Sequence, residues 1–442
     1  MPPTLSGGQT TSPVVPPALI SPTLDSGVLL ARILPPQGMA RPKLAKLFNQ
    51  DQHLFVVWDD DGDSGYNLGR IYQVAQDAPQ VGNGNTLLGS VSQNDLAVDA
   101  KASDELALLR TADGDPELSK WDTTGRLWRS TTFDTEGRLS WPLGINGAGS
   151  RVMVGGRTSG DQDWRCRLLD GADDTVSSSH YAGVQNGSHA EIGYDNCAVL
   201  SRDGDVILAK TYNPGFHAYR ISTTTVTHNN TTCQSGNFDT AFFPTRPGLC
   251  ALSGDGAEGI VIDGQNNRAF ILTGGPASYT ETTIFFPNSP RACAISNDGT
   301  KAVVLSRALD TDDGGLTVTV IDMTTQAIAL TSGGVPIRYQ IHNPSGRAHG
   351  HAQFLVMSDD GSSFGFGTRR NLDTTTGVNH ASVFHAASDE RAYQPVHVYR
   401  PDEHVIGGDY ATSDGEHLAV CIEQSEEGRN PRTGYVDLFD LS

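Results

Sequence analysis

Lysine is scarce in this chain, with six among 442 residues, at positions 43, 46, 101, 120, 210 and 301. No stretch of eighteen apolar residues occurs, so no helical membrane span is expected. The six cysteines, at 166, 197, 233, 250, 293 and 421, include no pair in Cys-x-x-Cys spacing. That excludes a zinc ribbon and a thioredoxin-type motif, and a chain of this length buries a core without disulfide staples. Gly-rich phosphate loops, Gly-x-Ser-x-Gly, His-Glu-x-x-His and Cys-x-x-Cys-His are all missing. Positive charge is in deficit: 31 Lys and Arg face 51 Asp and Glu, a formal net charge of −20. Such a surface repels phosphate backbones, which argues against general nucleic-acid binding. The opening Met1-Pro2-Pro3-Thr4-Leu5-Ser6-Gly7-Gly8 has neither the basic start nor the apolar run of a secretory signal. The expected location is therefore cytoplasmic or virion-associated.

What the chain has instead is a repeat. Residues 240–256 read TAFFPTRPGLCALSGDG and residues 283–299 read TIFFPNSPRACAISNDG, matching without a gap at an offset of 43. A period near 40–55 residues with Asp-Gly turns suggests the blades of a β-propeller. The shared unit is an apolar strand, a Ser-x-Asp-Gly turn and a second apolar strand. Asp-Gly is expected to make a tight hairpin in which both central residues take positive φ. Eight such units can be placed: Pro42–Asp60, Asn94–Gly114, Leu139–Gly160, Tyr194–Asn213, Gly248–Gln265, Arg291–Asp310, Gln353–Asn371 and Asp409–Gln424. The first three rest on strand pattern and spacing. The clearest turns are Ser201–Gly204, Ser253–Gly256, Ser296–Gly299, Ser358–Gly361 and Ser413–Gly415.

Each hairpin is followed by a more polar strand pair, as in 118–129, 217–227, 316–330 and 382–399, which makes a four-stranded blade. The last unit runs out after one further strand, 435–441. The strand it lacks is available at the other end, in 27–34. Pairing both ends closes the ring and hides sheet edges. The expectation is an all-β, eight-bladed β-propeller over 27–442, at about 52 residues per blade. A seven-bladed ring, with one early hairpin as an elaborated loop, is the alternative. Residues 1–26, rich in Pro, Thr and Ser, hold too little apolar surface to fold alone. They are expected to form an extended arm that folds back on the ring or docks on a protein assembly partner.

The Ser-x-Asp-Gly hairpins resemble the repeats of TolB-like and related Trp-Asp-type propellers over roughly 27–442, a resemblance of architecture. The Trp-Asp dipeptide itself, Trp121-Asp122, occurs in one plausible strand position. Locally, His349-Gly350-His351 ahead of the seventh hairpin is similar to the His-x-His of oligogalacturonate-lyase-type propellers. That resemblance implies a divalent metal held in the central funnel. This chain departs from the pattern in having three extra residues between the pair and the turn, and no match for the family's other ligand or catalytic basic residue.

Loops that lead into the innermost strands gather at one mouth of a propeller, so residues just before each hairpin are the best binding candidates. These are His189 and Glu191 before the fourth, Arg246 before the fifth and Arg291 at the sixth. Arg347, His349, His351 and Gln353 precede the seventh, and Asp402, His404 and Asp409 the eighth. His349 and His351 alternate on one face, where two imidazoles plus a carboxylate would suit a transition metal. Arg347 would neutralise a uronate carboxylate in a lyase. Cys250 and Cys293 occupy equivalent places and are expected to pack in the core. Asp59, Asp61 and Asp63 faintly match a calcium loop without its closing Glu and also suit a solvated turn. The functional expectation is a non-enzymatic binding or structural propeller on a larger assembly, such as a phage virion, contacting a host-surface glycan. No cofactor beyond a divalent metal is expected. The alternative is a polysaccharide lyase or related carbohydrate-active enzyme.

Overall fold

In the second strand of the first hairpin, His53–Asp59, every residue from Leu54 to Asp59 is buried. A strand buried on both faces needs a neighbouring layer on each side. Leu54, Val56 and Trp58 pack with Ala419, Cys421, Val436 and Leu438 on one side. Phe55 and Val57 pack with Leu106, Leu108 and Trp121 on the other. The period-2 alternation of a strand thus feeds two different inter-sheet cores. Repeated around an axis, this arrangement is an eight-bladed β-propeller, which excludes the seven-bladed alternative. The computed structural model describes residues 27–441 except 61–65, 75–79, 91–95, 101–103, 113–114, 131–142, 158–163, 171–175, 183–197, 211–215, 221–224, 230–248, 265, 276–278, 308–315, 342–351, 369–381, 390–392, 401, 412–414 and 425–432. The arm at 1–26 lies outside the described residues.

Blade one consists of Arg41–Phe48, His53–Asp59, Tyr66–Gln73 and Gln80–Ser90, from the axis outward. The innermost strands of blades two to eight are Leu96–Asp99, Leu143–Ile145, Ala198–Leu200, Cys250–Leu252, Ser289–Ile295, Ala352–Met357 and Glu403–Tyr410. All eight expected hairpins are present. Apolar clusters join blade to blade, and Cys250 and Cys293 occupy matching places in two successive ones. Blade six departs from four strands. After Leu316–Asp322 its outer edge is split between Ala327–Ile328 and Arg338–Ile341, separated by a turn at Thr331–Val335.

The ring closes as the pattern of the two ends requires. Val28–Ile33 pairs antiparallel with Thr433–Asp440, from Val28 opposite Asp440 to Ile33 opposite Val436. It is the outermost strand of blade eight. The Arg32 guanidinium donates to both oxygens of Asp437, at 2.8 and 2.9 Å, and stacks 3.9 Å above the Tyr435 ring. Tyr435 in turn donates to Glu403 at 2.7 Å. The two chain ends are therefore joined by a ladder and by a bidentate ion pair whose carboxylate is fully buried.

The Ser-x-Asp-Gly turns differ from expectation in one respect. Only the glycine takes positive φ, at 79°, 70°, 72° and 68° in Gly204, Gly256, Gly299 and Gly361. Its N–H donates to the serine carbonyl three residues back, which makes a type I turn followed by a left-handed residue. The reason lies in the side chains. Ser358 Oγ donates to Asp360 at 2.8 Å and accepts the Ser363 N–H at 3.0 Å, while Asp360 accepts the Ser362 N–H at 2.9 Å. Ser253 and Ser296 repeat the scheme with Asp255 and Asp298. Serine and aspartate thus satisfy turn amides that a two-residue loop would not leave open.

These amide and hydroxyl donors hold the Asp360 carboxyl below its ordinary range. A lowered folded pKa stabilises above the unfolded value and is lost as pH falls through the folded one. Asp360→Ala should cost about 1 kcal/mol near neutrality, a modest figure because the side chain is exposed. The gap between parent and variant, read from urea midpoints, should shrink below about pH 4.

Candidate functional site

The chain enters each inner strand at one face of the ring and turns back at the other. The turn face is tied together by backbone. Gly147 N–H donates to Arg202 O at 2.5 Å, Asp203 to Gly254 at 2.9 Å, Gly254 to Asn297 at 2.8 Å and Asp298 to Asp359 at 3.2 Å. Successive turns of blades three to seven are thereby linked. Arg202 Nη1 also reaches Asp359 Oδ2 at 2.5 Å, joining the turns of blades four and seven. Both residues hold the variable place of Ser-x-Asp-Gly. Arginine in one blade and aspartate in another was a readable signal that sequence reasoning passed over.

On the remaining arc, charged side chains tie inner strands to each other. Lys46 in blade one contacts Asp409 of blade eight at 2.9 Å, and Asp409 also accepts the Leu47 N–H at 2.8 Å. Asp99 of blade two accepts the Ile145 N–H of blade three at 2.8 Å in the same manner. Each aspartate caps an amide on the open edge of the next inner strand, which an edge strand otherwise leaves bare. Burial works to lower the Lys46 pKa, but Asp409, Asp99 and Asp51 outweigh it and hold the ammonium above its usual value. Asp409 is pushed up by burial, with Lys46 opposing. The Lys46 shift follows from several carboxylates sharing one ammonium. Asp51 lies in blade one's turn, where Asn49, Gln50 and Asp51 all take positive φ in place of the Ser-x-Asp-Gly geometry.

The leading face is built differently. The inner strands of blades six, seven, eight and one, consecutive around the ring, each carry a β-bulge near the leading end. The bulged residues are Arg291, Gln353, Ile406 and Lys43. A bulge takes a residue out of the strict alternation and re-aims it. Beside Lys43, Arg41 bridges Asp59 at 3.1 Å and Glu423 of blade eight at 2.6 Å, and Lys43 lies 3.5 Å from Asp59. Desolvation, reinforced by the Arg41 charge, lowers the Lys43 pKa against the pull of Asp59.

The candidates read from sequence fall as follows. Arg291 is half-buried in the inner strand of blade six, at the start of the hairpin where the sequence placed it. Gln353 sits in the inner strand of blade seven. His404 and Asp409 are buried within the inner strand of blade eight, His404 opposite Glu423, with Asp402 exposed just ahead. Asp59 is committed to Arg41 and Lys43. His189, Glu191, Arg246, Arg347, His349, His351, Asp61 and Asp63 lie outside the described residues. Among the described residues no three His, Cys, Asp or Glu side chains group as metal ligands. Arg41, Lys43 and Lys46 escaped the sequence reading because bulges and inter-blade pairs leave no local spacing signal.

No family model matches this chain, and no curated protein matches it.

Proposed function

We propose that the chain is a non-enzymatic binding propeller carried on a larger assembly, such as a phage virion. Residues 1–26 would be the attachment arm, and the leading face would meet a host-surface glycan. The observation that supports this most is the division of labour between the two faces. On the turn face, blades three to seven are tied by turn-to-turn hydrogen bonds and the Arg202–Asp359 pair, while bulged residues, Lys43 and Arg291 among them, lie near the leading ends of four inner strands. A ring so tied is a rigid platform, and loops and strand ends on one side of a rigid scaffold are where recognition is built.

The test is a chain that begins at residue 27. It keeps every strand of the ring, so it should fold with an unchanged melting temperature yet fail to join its assembly in a co-sedimentation assay. Normal incorporation would defeat the arm's role.

A polysaccharide lyase is the second reading. What favours it is position: blade seven's inner strand starts at Ala352, directly after His349 and His351 in the chain. Metal analysis of the purified protein, with absorbance of unsaturated uronate after mixing with pectin, alginate or ulvan, decides it. Absence of both metal and product would remove this reading.

A further inference from the structure

We infer that the seam between blades seven and eight is an acid-sensitive joint: protonation of His385 loosens it and frees the root of the 1–26 arm at Gly27. The joint stands on the geometry of the seam, and only its consequence for attachment rests on the arm reading above.

Three observations carry it. The first is a hydrogen-bonded chain across the seam. Tyr410 ends the inner strand of blade eight, and its hydroxyl lies 2.7 Å from Ser363 Oγ and 3.2 Å from His385 Nδ1, both in blade seven. Tyr410 is fully buried, and its surroundings are shaped for it. A Cβ at Gly365 would collide with the Tyr410 ring, and one at Gly415 would stand 2.7 Å from its hydroxyl. Among the described residues the turn-to-turn series stops at blade seven, and Tyr410 takes up the tie to blade eight.

The second is what surrounds His385. Among the described residues, the other charged and titratable groups on this seam are Arg32, Glu403, Tyr435 and Asp437 from blade eight, with His397 and Tyr399 from blade seven. The two carboxylates are engaged: Arg32 donates to Asp437, and Tyr435 donates to Glu403. His397 acts on Asp437 as well. Burial holds the His385 imidazole below its usual value. The third is the root of the arm. Gly27 enters the closing strand in this same seam, where a Cβ would meet Val396 of blade seven at 2.6 Å and Leu441 at 3.2 Å.

In the neutral ring with its proton on Nε2, Nδ1 accepts the Tyr410 O–H, and Tyr410 accepts the Ser363 O–H. A second proton turns Nδ1 into a donor and reverses the chain. It also leaves a buried cation where the neighbouring carboxylates are already committed, which is costly. Because the folded value lies below the unfolded one, the unfolded chain takes up the proton first. The contribution of neutral His385 is therefore whole above its unfolded value of about 6.5 and is lost as pH falls through the folded value.

The experiment compares the full chain with its His385→Gln variant, whose amide oxygen can accept from Tyr410 and does not titrate. Between about pH 7.5 and about pH 5 the urea midpoint should fall further in the parent, moving the ratio of folding equilibrium constants several-fold toward the variant. Amide exchange, corrected for the chemical rate at each pH, should show where. Val28–Ile33 and Glu403–Tyr410 should lose protection several-fold in acid in the parent and keep it in the variant, with Cys250–Leu252 of blade five unmoved in both. Midpoints that fall in parallel would overturn the inference. A loss of protection spread evenly around the ring would overturn the assignment to this seam. Should His385→Gln fail to fold, NMR titration of the His385 ring in the full chain decides. A value below about 6.5 supports the joint, and one at or above it overturns it. None of these readouts needs the assembly. A chain from residue 27 that still incorporates would remove the arm's role and leave the joint standing.

Discussion

A chain that begins at residue 35, without the strand Val28–Ile33, should be unable to hold the ring closed. Blade eight would be left with three strands and an open edge along Thr433–Asp440. Asp437, fully buried, would lose the bidentate Arg32 partner. Breaking a buried pair from one side costs about 3–5 kcal/mol. The low end applies, because Arg32 itself is part-exposed and its charge is partly screened. Losing Ile33 from the core between blades eight and one adds about 1.5–3 kcal/mol. Together these approach the whole stability of a typical domain, about 5–15 kcal/mol. The expected result is aggregated or unfolded protein on size exclusion and loss of the cooperative melt, whereas a chain begun at residue 27 melts normally. Arg32→Ala should fall between the two, about 3 kcal/mol below the parent. A folded, monomeric chain from residue 35 would show that the contacts of blade one with the three remaining strands of blade eight suffice to close the ring.

Asp409→Ala should be the most damaging single substitution near the axis. It strands the Lys46 ammonium and the Leu47 N–H together. Asp99 and Asp51 remain close enough to act on Lys46, so the loss should be about 3 kcal/mol rather than the 5 kcal/mol seen for isolated buried charges. The measurement is the guanidinium unfolding midpoint at constant slope. Asp409→Asn keeps an acceptor for Leu47 and should lose less. Its pH behaviour has a definite sign. Burial raises the Asp409 pKa in the folded state, so the contribution of this carboxyl is greatest below its unfolded value of about 4. It declines as pH rises through the folded value. The advantage of the parent over Asp409→Asn should therefore narrow from pH 4 upward. A gap that widens with pH would mean that Lys46 outweighs burial at this site.

Much of the architecture was legible because its signals are local. A Ser-x-Asp-Gly turn completes its hydrogen bonds within five residues, from the serine to the residue after the loop, as Ser358 and Ser363 show. The units counted from that pattern, including the three without a clear turn, are blades. Asn146-Gly147-Ala148-Gly149 in blade three illustrates why a weak match still folded alike. Asn146 Oδ1 accepts the Arg151 N–H at 2.8 Å, the place of the serine hydroxyl elsewhere, and Gly149 supplies the positive φ. The turn's inner geometry was misjudged, because Asp-Gly alone does not reveal that the preceding serine lengthens the loop.

The binding candidates were harder to read. Choosing residues ahead of each hairpin treated His404 and Asp409 as loop residues, but both lie inside the inner strand of blade eight. Bulges shift a strand by one residue without any reserved residue type, so Lys43 looks like an ordinary strand position in sequence.

By itself, then, the sequence determined the repeated hairpin unit and the pairing of its two ends, since periodic apolar strands and short-range turn chemistry specify these, and it left eight blades against seven for the sheets to decide. Only the tertiary structure decided which charges meet. Arg202 and Asp359 are 157 residues apart, and Lys46 and Asp409 are 363 apart. Their contact follows from the angle between blades, a property of packed sheets that no stretch of chain encodes alone. The same holds for the arc of bulges, whose members become neighbours when the ring closes.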